Sequence, residues 1–222
     1  MLCERSKALS PCLGFFGFPY SSASSFQPGG KNFAYVRNLD SQGQSVICFG
    51  DSLTEGVGAG KGEDYPSILA RQLTYPIINA GRPGDTSVDG LARLERDVLS
   101  QNPRLVIVLL GGNDFLRQLP LSDTKKNIEE IVKRVQGSGA MVALVGIRLG
   151  LFTDEYGPAY EEIAKKNGAV FIPEILKGIL SDPQLRSDSI HPNAAGYQLI
   201  AQRILERIRP LLEAADRKRL KG

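Results

Sequence analysis

From Ser45 onward, short apolar runs alternate with longer segments whose apolar residues recur every three or four positions. Runs too short to be helices, separated by amphipathic stretches, are the pattern of βα units and a parallel sheet. The runs predict strands over Val46–Phe49, Ile77–Asn79, Leu105–Leu110, Met141–Ile147 and Ala169–Ile172. Between them, Val88, Leu91, Leu94 and Val98 make one helical stripe; Ile128, Ile131, Val132 and Val135 make a second; Tyr160, Ile163 and Ala164 suggest a shorter third. A last helix is expected over Asn193–Leu212, with Tyr197, Ile200, Ile204, Ile208 and Leu211 on one side and Pro192 suited to its first turn. The sum is a three-layer α/β/α domain with a five-stranded parallel sheet. Its right-handed crossovers leave a crevice at the carboxyl ends of the strands.

The 222 residues fit one such domain, with boundaries expected at 45–213. Residues 1–44 carry Ser21, Ser22, Ser24 and Ser25, then Pro28-Gly29-Gly30, without sustained periodicity, and read as a flexible or loosely docked arm. Within it, Leu13-Gly14-Phe15-Phe16-Gly17-Phe18 is shorter than a signal-peptide core, is broken by glycine and is followed by Pro19. The expectation is therefore a cytoplasmic protein without a transmembrane segment. Residues 214–222 read as a basic tail; with Arg207 and Arg209 they hold most of the cationic excess behind the net charge of +3. A solvated helix end accounts for that charge, and no nucleic-acid-binding motif accompanies it.

Cys3, Cys12 and Cys48 make no even, spaced framework, and Cys48 sits in an apolar strand where a small buried thiol is expected. His191 is the only histidine, which leaves no cluster of His and Cys ligands for a catalytic zinc. The sequence calls for no metal.

The first strand runs into Gly50-Asp51-Ser52-Leu53-Thr54-Glu55-Gly56, which places a hydroxyl at a strand's carboxyl end among glycines. A serine there is commonly a turn or cap residue. As a nucleophile it needs a base to take its proton and a buried carboxylate to orient that base. Asp188-Ser189-Ile190-His191, in the loop before the last helix, offers both. Two further loops follow strand ends: Asn79-Ala80-Gly81-Arg82-Pro83-Gly84-Asp85-Thr86 and Gly111-Gly112-Asn113-Asp114. Acyl transfer requires donors for the oxyanion of a tetrahedral intermediate, and backbone N–H groups or an asparagine amide supply them without charge. Gly84, Asn113 and the Ser52 N–H suit that role.

Taken together, Gly50-Asp51-Ser52-Leu53, Gly84, Gly111-Gly112-Asn113-Asp114 and Asp188-x-x-His191 resemble the four blocks of the SGNH branch of the GDSL hydrolases, in order, over about residues 46–212. The resemblance implies a flavodoxin-like SGNH fold without a cofactor. It also implies Ser52 as nucleophile and oxyanion donor, Gly84 and Asn113 as the other donors, Asp188 as orienter and His191 as base. The wording of the blocks is most similar to the bacterial thioesterase/lysophospholipase and arylesterase group, which implies a small-molecule ester or lipid substrate. The long N-terminal arm departs from relatives that start near the first strand or carry an export segment; a periplasmic location, implied by the resemblance, is the alternative expectation.

Neighbouring signatures fail. Thr54 stands where the α/β-hydrolase elbow needs its second glycine. Gly60-Lys61 lacks both the glycine five positions earlier and the hydroxyl residue after Lys61 of a phosphate loop. Candidates for an acyl pocket are Phe115 and Leu116 after the third strand and Leu149, Leu151 and Phe152 after the fourth, because apolar residues on loops beside a polar site can line a groove. A carbohydrate acetylesterase with the same machinery, and a non-catalytic α/β binding module, are the rival expectations.

Overall fold

The computed structural model describes residues 32–148 and 155–220. Five strands, β1 (Ser45–Gly50), β2 (Ile77–Gly81), β3 (Pro103–Leu109), β4 (Met141–Val145) and β5 (Val170–Ile172), pair in the order β2-β1-β3-β4-β5. Every pairing is parallel. Helices α1 (Ser52–Glu55), α2 (Tyr65–Gln72), α3 (Ser87–Asp97), α4 (Gly112–Leu116), α5 (Leu121–Gly137), α6 (Tyr156–Asn167) and α7 (Ala194–Arg219) connect and cover them.

The strands bury both faces, and their alternating residues divide the core in two. Val46, Cys48, Leu105, Ile107, Met141 and Ala143 point to the side covered by α2 and α7. Ile47, Phe49, Val106, Val108, Val142 and Leu144 point to the side covered by α3, α5 and α6. The chain leaves interior strand β1 for β2 on one side and later crosses to β3 on the other. This reversal opens a crevice beyond the carboxyl ends of β1 and β3.

Several expectations shift. Strand β3 begins at Pro103, and β4 ends at Val145, where the Gly146 N–H turns to the Ile172 carbonyl. Helix α2, short and opened by an Asp64 cap that accepts from the Ser67 N–H at 2.8 Å, was not predicted. The predicted stripe on α3 is wrong at its first member: Val88 is 55% exposed, whereas Ser87, Gly90, Arg93 and Leu94 face inward. Ser87 turns in because its N–H and hydroxyl both reach the buried Asp114 carboxylate.

The last helix runs on past Leu212 to Arg219, with Asn193 as its cap and Pro192 outside its first turn. Ala215 is fully buried on it, and Asp216 accepts from the buried Arg104 guanidinium at 2.7 Å. On the amino-terminal side, residues 32–44 lie against the core, with Phe33, Val36 and Leu39 buried beside α7 and β3. The Ser41 carbonyl takes a second bond from Arg104, at 2.6 Å. Cys48 is buried as expected, whereas Cys3 and Cys12 lie outside the described residues.

Candidate active site

At the end of β1, the Asp51 carboxylate caps α1 by accepting from the Leu53 N–H at 3.0 Å. Ser52 is thereby the first residue of a one-turn helix that closes at Gly56 in the left-handed region. Across the crevice, the turn before α7 is built by Asp188. One of its oxygens accepts from the Ile190 and His191 N–H groups, both at 2.8 Å. The other lies 2.8 Å from His191 Nδ1. His191 Nε2 then stands 3.0 Å from Ser52 Oγ. A carboxylate only accepts, so Nδ1 carries a proton; in the neutral imidazole Nε2 is then the acceptor and the Ser52 hydroxyl donates to it.

Asp188 is not the buried carboxylate expected from the sequence: its side chain is 51% exposed. Hydrogen bonds replace burial. The Ile190 N–H and the His191 ring, ahead of the His191 N–H, hold its carboxyl down at about 2, so it stays charged beside the imidazole. Asn193 fixes the same loop from the other end. Its amide donates to the Gln184 carbonyl at 2.9 Å while its oxygen caps α7.

Gly84 and Asn113 both border the cavity in front of Ser52. Gly84 adopts φ +83°, a conformation that excludes other residues on backbone grounds although space for a side chain exists. Asn113 donates one amide hydrogen to the Asp85 carbonyl at 2.9 Å, which ties the loop after β3 to the loop after β2 and leaves the second hydrogen available. Gly111 enters α4 at φ +105°, and a Cβ there would collide with the Tyr160 hydroxyl that bonds the Leu110 carbonyl.

Three buried side chains that the sequence did not single out hold these loops. Arg93 donates to the Asp85 carboxylate at 2.5 Å and to the carbonyls of Gly50 and Ala80 at 2.9 and 3.0 Å, with its guanidinium 4.5 Å from the Phe49 ring centroid. It therefore joins the ends of β1 and β2 to the Gly84 loop. Asp114 receives the Ser87 N–H and hydroxyl and the Thr124 hydroxyl, joining α3, α4 and α5. Asp51 borders the cavity beside Ser52; burial pushes its carboxyl up to about 7 despite the Leu53 N–H and the nearby His191.

The cavity holds about 210 Å³. Its polar side is Ser52, Gly84, Gly112, Asn113 and His191; its apolar side is Leu53, Val57, Pro83, Leu116, Leu176 and Ile190. A second groove, of about 380 Å³, shares Leu116, Leu176 and Ile190 with it and adds Phe115 and Leu180. Of the expected acyl-pocket residues, Leu116 borders the cavity and Phe115 the groove, its ring edge-on to Tyr156 at 5.8 Å. Leu149, Leu151 and Phe152 lie outside the described residues. Leu176 and Ile190 were missed, because no local pattern distinguishes them from ordinary loop residues. Among the described residues no cluster of His, Cys, Asp and Glu is arranged to hold a metal, and no helix is long and apolar enough to cross a membrane.

The GDSL-like Lipase/Acylhydrolase family matches residues 48–199. Esterase TesA of Pseudomonas aeruginosa is 30% identical over 76% of this chain and 90% of its own length. Thioesterase 1/protease 1/lysophospholipase L1 of Escherichia coli K12 is also 30% identical, over 76% of this chain and 85% of its own. Among solved structures, the psychrotrophic esterase EstA from Pseudoalteromonas sp., inhibited by monoethylphosphonate, superposes with a TM-score of 0.70 at 26% identity, covering 77% of this chain and 99% of that one. The α/β/α fold, its five-stranded parallel sheet and these matches make the chain a carboxylic ester hydrolase belonging to the GDSL-like Lipase/Acylhydrolase family.

Proposed function

We propose that the chain hydrolyses carboxylic esters or thioesters with an apolar acyl group, through a Ser52-His191-Asp188 triad and an acyl-enzyme. The observation that carries this reading is the hydrogen-bonded line from Asp188 through His191 to Ser52 Oγ, closed between residues 139 positions apart. His191 Nε2 takes the Ser52 proton as Oγ attacks the carbonyl carbon, and Asp188 steadies the imidazolium that forms. The carbonyl oxygen becomes an oxyanion that receives the Ser52 and Gly84 N–H groups and the free hydrogen of the Asn113 amide. As the tetrahedral intermediate collapses, His191 returns its proton to the leaving alcohol or thiol. Water then gives a proton to His191, attacks the acyl-enzyme and releases the acid, and the proton goes back to Ser52.

The apolar wall of Leu53, Val57, Leu116, Leu176 and Ile190 favours a hydrocarbon acyl group over a sugar, and the adjoining groove offers room for its continuation. A nitrophenyl ester series tests this. We expect kcat/KM to rise from acetate to acyl chains of about six to eight carbons, as each further methylene enters apolar surroundings at roughly 0.8 kcal/mol. Leu176→Ala should flatten that rise. A preference for acetate, or for acetylated sugar, would move the substrate to the carbohydrate acetylesterase alternative, and no turnover that depends on Ser52 would end the triad reading.

A further inference from the structure

Leu176 stands where two spaces meet. With Leu116 and Ile190, it borders both the cavity in front of Ser52 and the groove beside it. Those two neighbours are 47% and 38% exposed, whereas Leu176 is 4% exposed, so it is the member of the three whose position the surrounding structure sets. A displacement of its side chain would open or close the way from cavity to groove.

The segment that carries it, residues 175–181, is a run of turns after β5 and not a helix. Its carbonyls are used alternately. Those of Glu174 and Leu176 accept the N–H groups of Lys177 and Ile179, at 2.9 and 3.0 Å. Those of Ile175 and Lys177, on either side of Leu176, accept from the two terminal nitrogens of Arg203, both at 2.7 Å. A guanidinium presents its donors in a rigid planar fork, so the two carbonyls are held at one spacing and one orientation. The turn needs such a hold, because it starts from a costly backbone conformation, with Glu174 at φ +42°. The ion pairs of Glu174 with Arg148 and Lys177 are at the surface, where they contribute little. Fully buried Ile175 and Ile179 anchor the two ends of the turn, and the Arg203 fork fixes the peptides between them.

Arg203 belongs to α7, the helix whose cap, Asn193, secures the His191 loop through the Gln184 carbonyl. Cap and fork stand about 15 Å apart along the helix axis. One rigid element therefore places both the proposed base and the apolar wall.

We propose that Arg203 is a specificity-positioning residue: by bracketing Leu176 it sets the junction between cavity and groove, and with it the length of acyl chain the site accepts. This rests on the reading that Leu176 faces the acyl group.

The test is a nitrophenyl ester series from acetate to octanoate on the full chain, with kcat and KM separated. It compares the parent with Arg203→Met, Arg203→Lys, Arg207→Met, Leu176→Ala, and Arg203→Met combined with Leu176→Ala; thermal unfolding establishes that each is folded at the assay temperature. In Arg203→Met we expect the octanoate-to-acetate ratio of kcat/KM to fall roughly fourfold, the contact of about one methylene, with the loss in KM for octanoate. Arg203→Lys, which keeps the charge without the fork, should lie between Arg203→Met and the parent. Arg207→Met, which removes an exposed cation of the same helix, should match the parent. With Leu176 already shortened, Arg203→Met should change the ratio little, because the two residues act through one contact. A parent-like ratio in both Arg203 variants would overturn the proposal, and so would a fall of equal size with and without Leu176. A general loss of kcat at an unchanged ratio would make Arg203 a structural staple and overturn it as well. A parent whose kcat/KM does not rise from acetate to octanoate would instead end the acyl-wall reading, and this proposal with it.

Discussion

Asp51 shows how much a single position beside the serine can carry beyond its place in a motif. Its carboxyl is buried and raised from an ordinary 3.8 to about 7. Between those values the folded chain keeps a proton that the unfolded chain gives up. Stability therefore falls as pH rises from about 4 to 7, by roughly 1.4 kcal/mol per unit, and levels off above. Asp51→Asn, which can still accept the Leu53 N–H, should abolish that slope. Urea denaturation at pH 4.5 and pH 8 would show the variant gaining on the parent only at the higher pH, and an equal effect at both would remove Asp51 as its source. At this scale the four motif blocks were readable because each is a short string, three of them tied to a strand end and the fourth to the start of the last helix. Asp51's buried state, Arg93 and Asp114 were not, because burial is set by how distant segments pack, and Arg93 reaches the Gly50 carbonyl across 43 positions and Asp114 the Ser87 N–H across 27.

At the scale of elements, the loops after β2 and β3 act as one unit because Arg93 holds the ends of β1 and β2 and the Asp85 carboxylate, while the Asp85 carbonyl in turn holds Asn113. Its ion pair with Asp85 is inside the protein, the two side chains being 5% and 9% exposed. Arg93→Met would leave the Asp85 carboxylate buried and unpaired, at a cost of about 3 to 5 kcal/mol. Denaturation curves should show that loss, and kcat should fall with it as Asn113 loses its anchor; a variant as stable as the parent would contradict the clamp. The helical stripe of α3 misled at Val88 for a related reason. Periodicity assumes that a helix turns its apolar side inward, but the first turn of α3 turns Ser87 inward to a polar network. Strand positions were readable from their apolar runs to within a few residues, whereas the short α2 has too little pattern of its own.

For the whole molecule, the strand alternation and the spacing of the helices were enough to expect a doubly wound sheet with its crevice at the carboxyl ends. Hidden from the sequence was how the two chain flanks are secured. Fully buried Arg104, at the amino end of β3, binds the Ser41 carbonyl and Asp216, while Asp216 also receives the Tyr75 hydroxyl at 2.5 Å. An arginine in a β-run reads as a surface residue, and only the packing of residues 32–44 and the end of α7 encloses it. Asp216→Ala should cost about 3 kcal/mol by stranding that charge, whereas the similarly basic-tail change Arg217→Ala should cost about 0.5 kcal/mol or less. Equal thermal shifts for the two would argue that the end of α7 is not part of the core. The central claim, that this fold brings Ser52 and His191 together as nucleophile and base, is tested most directly by intact-mass analysis after organophosphate treatment. The account predicts one phosphonyl group per chain, located at Ser52, absent in Ser52→Ala and strongly slowed in His191→Ala; an unmodified parent, or labelling that persists in Ser52→Ala, would contradict it.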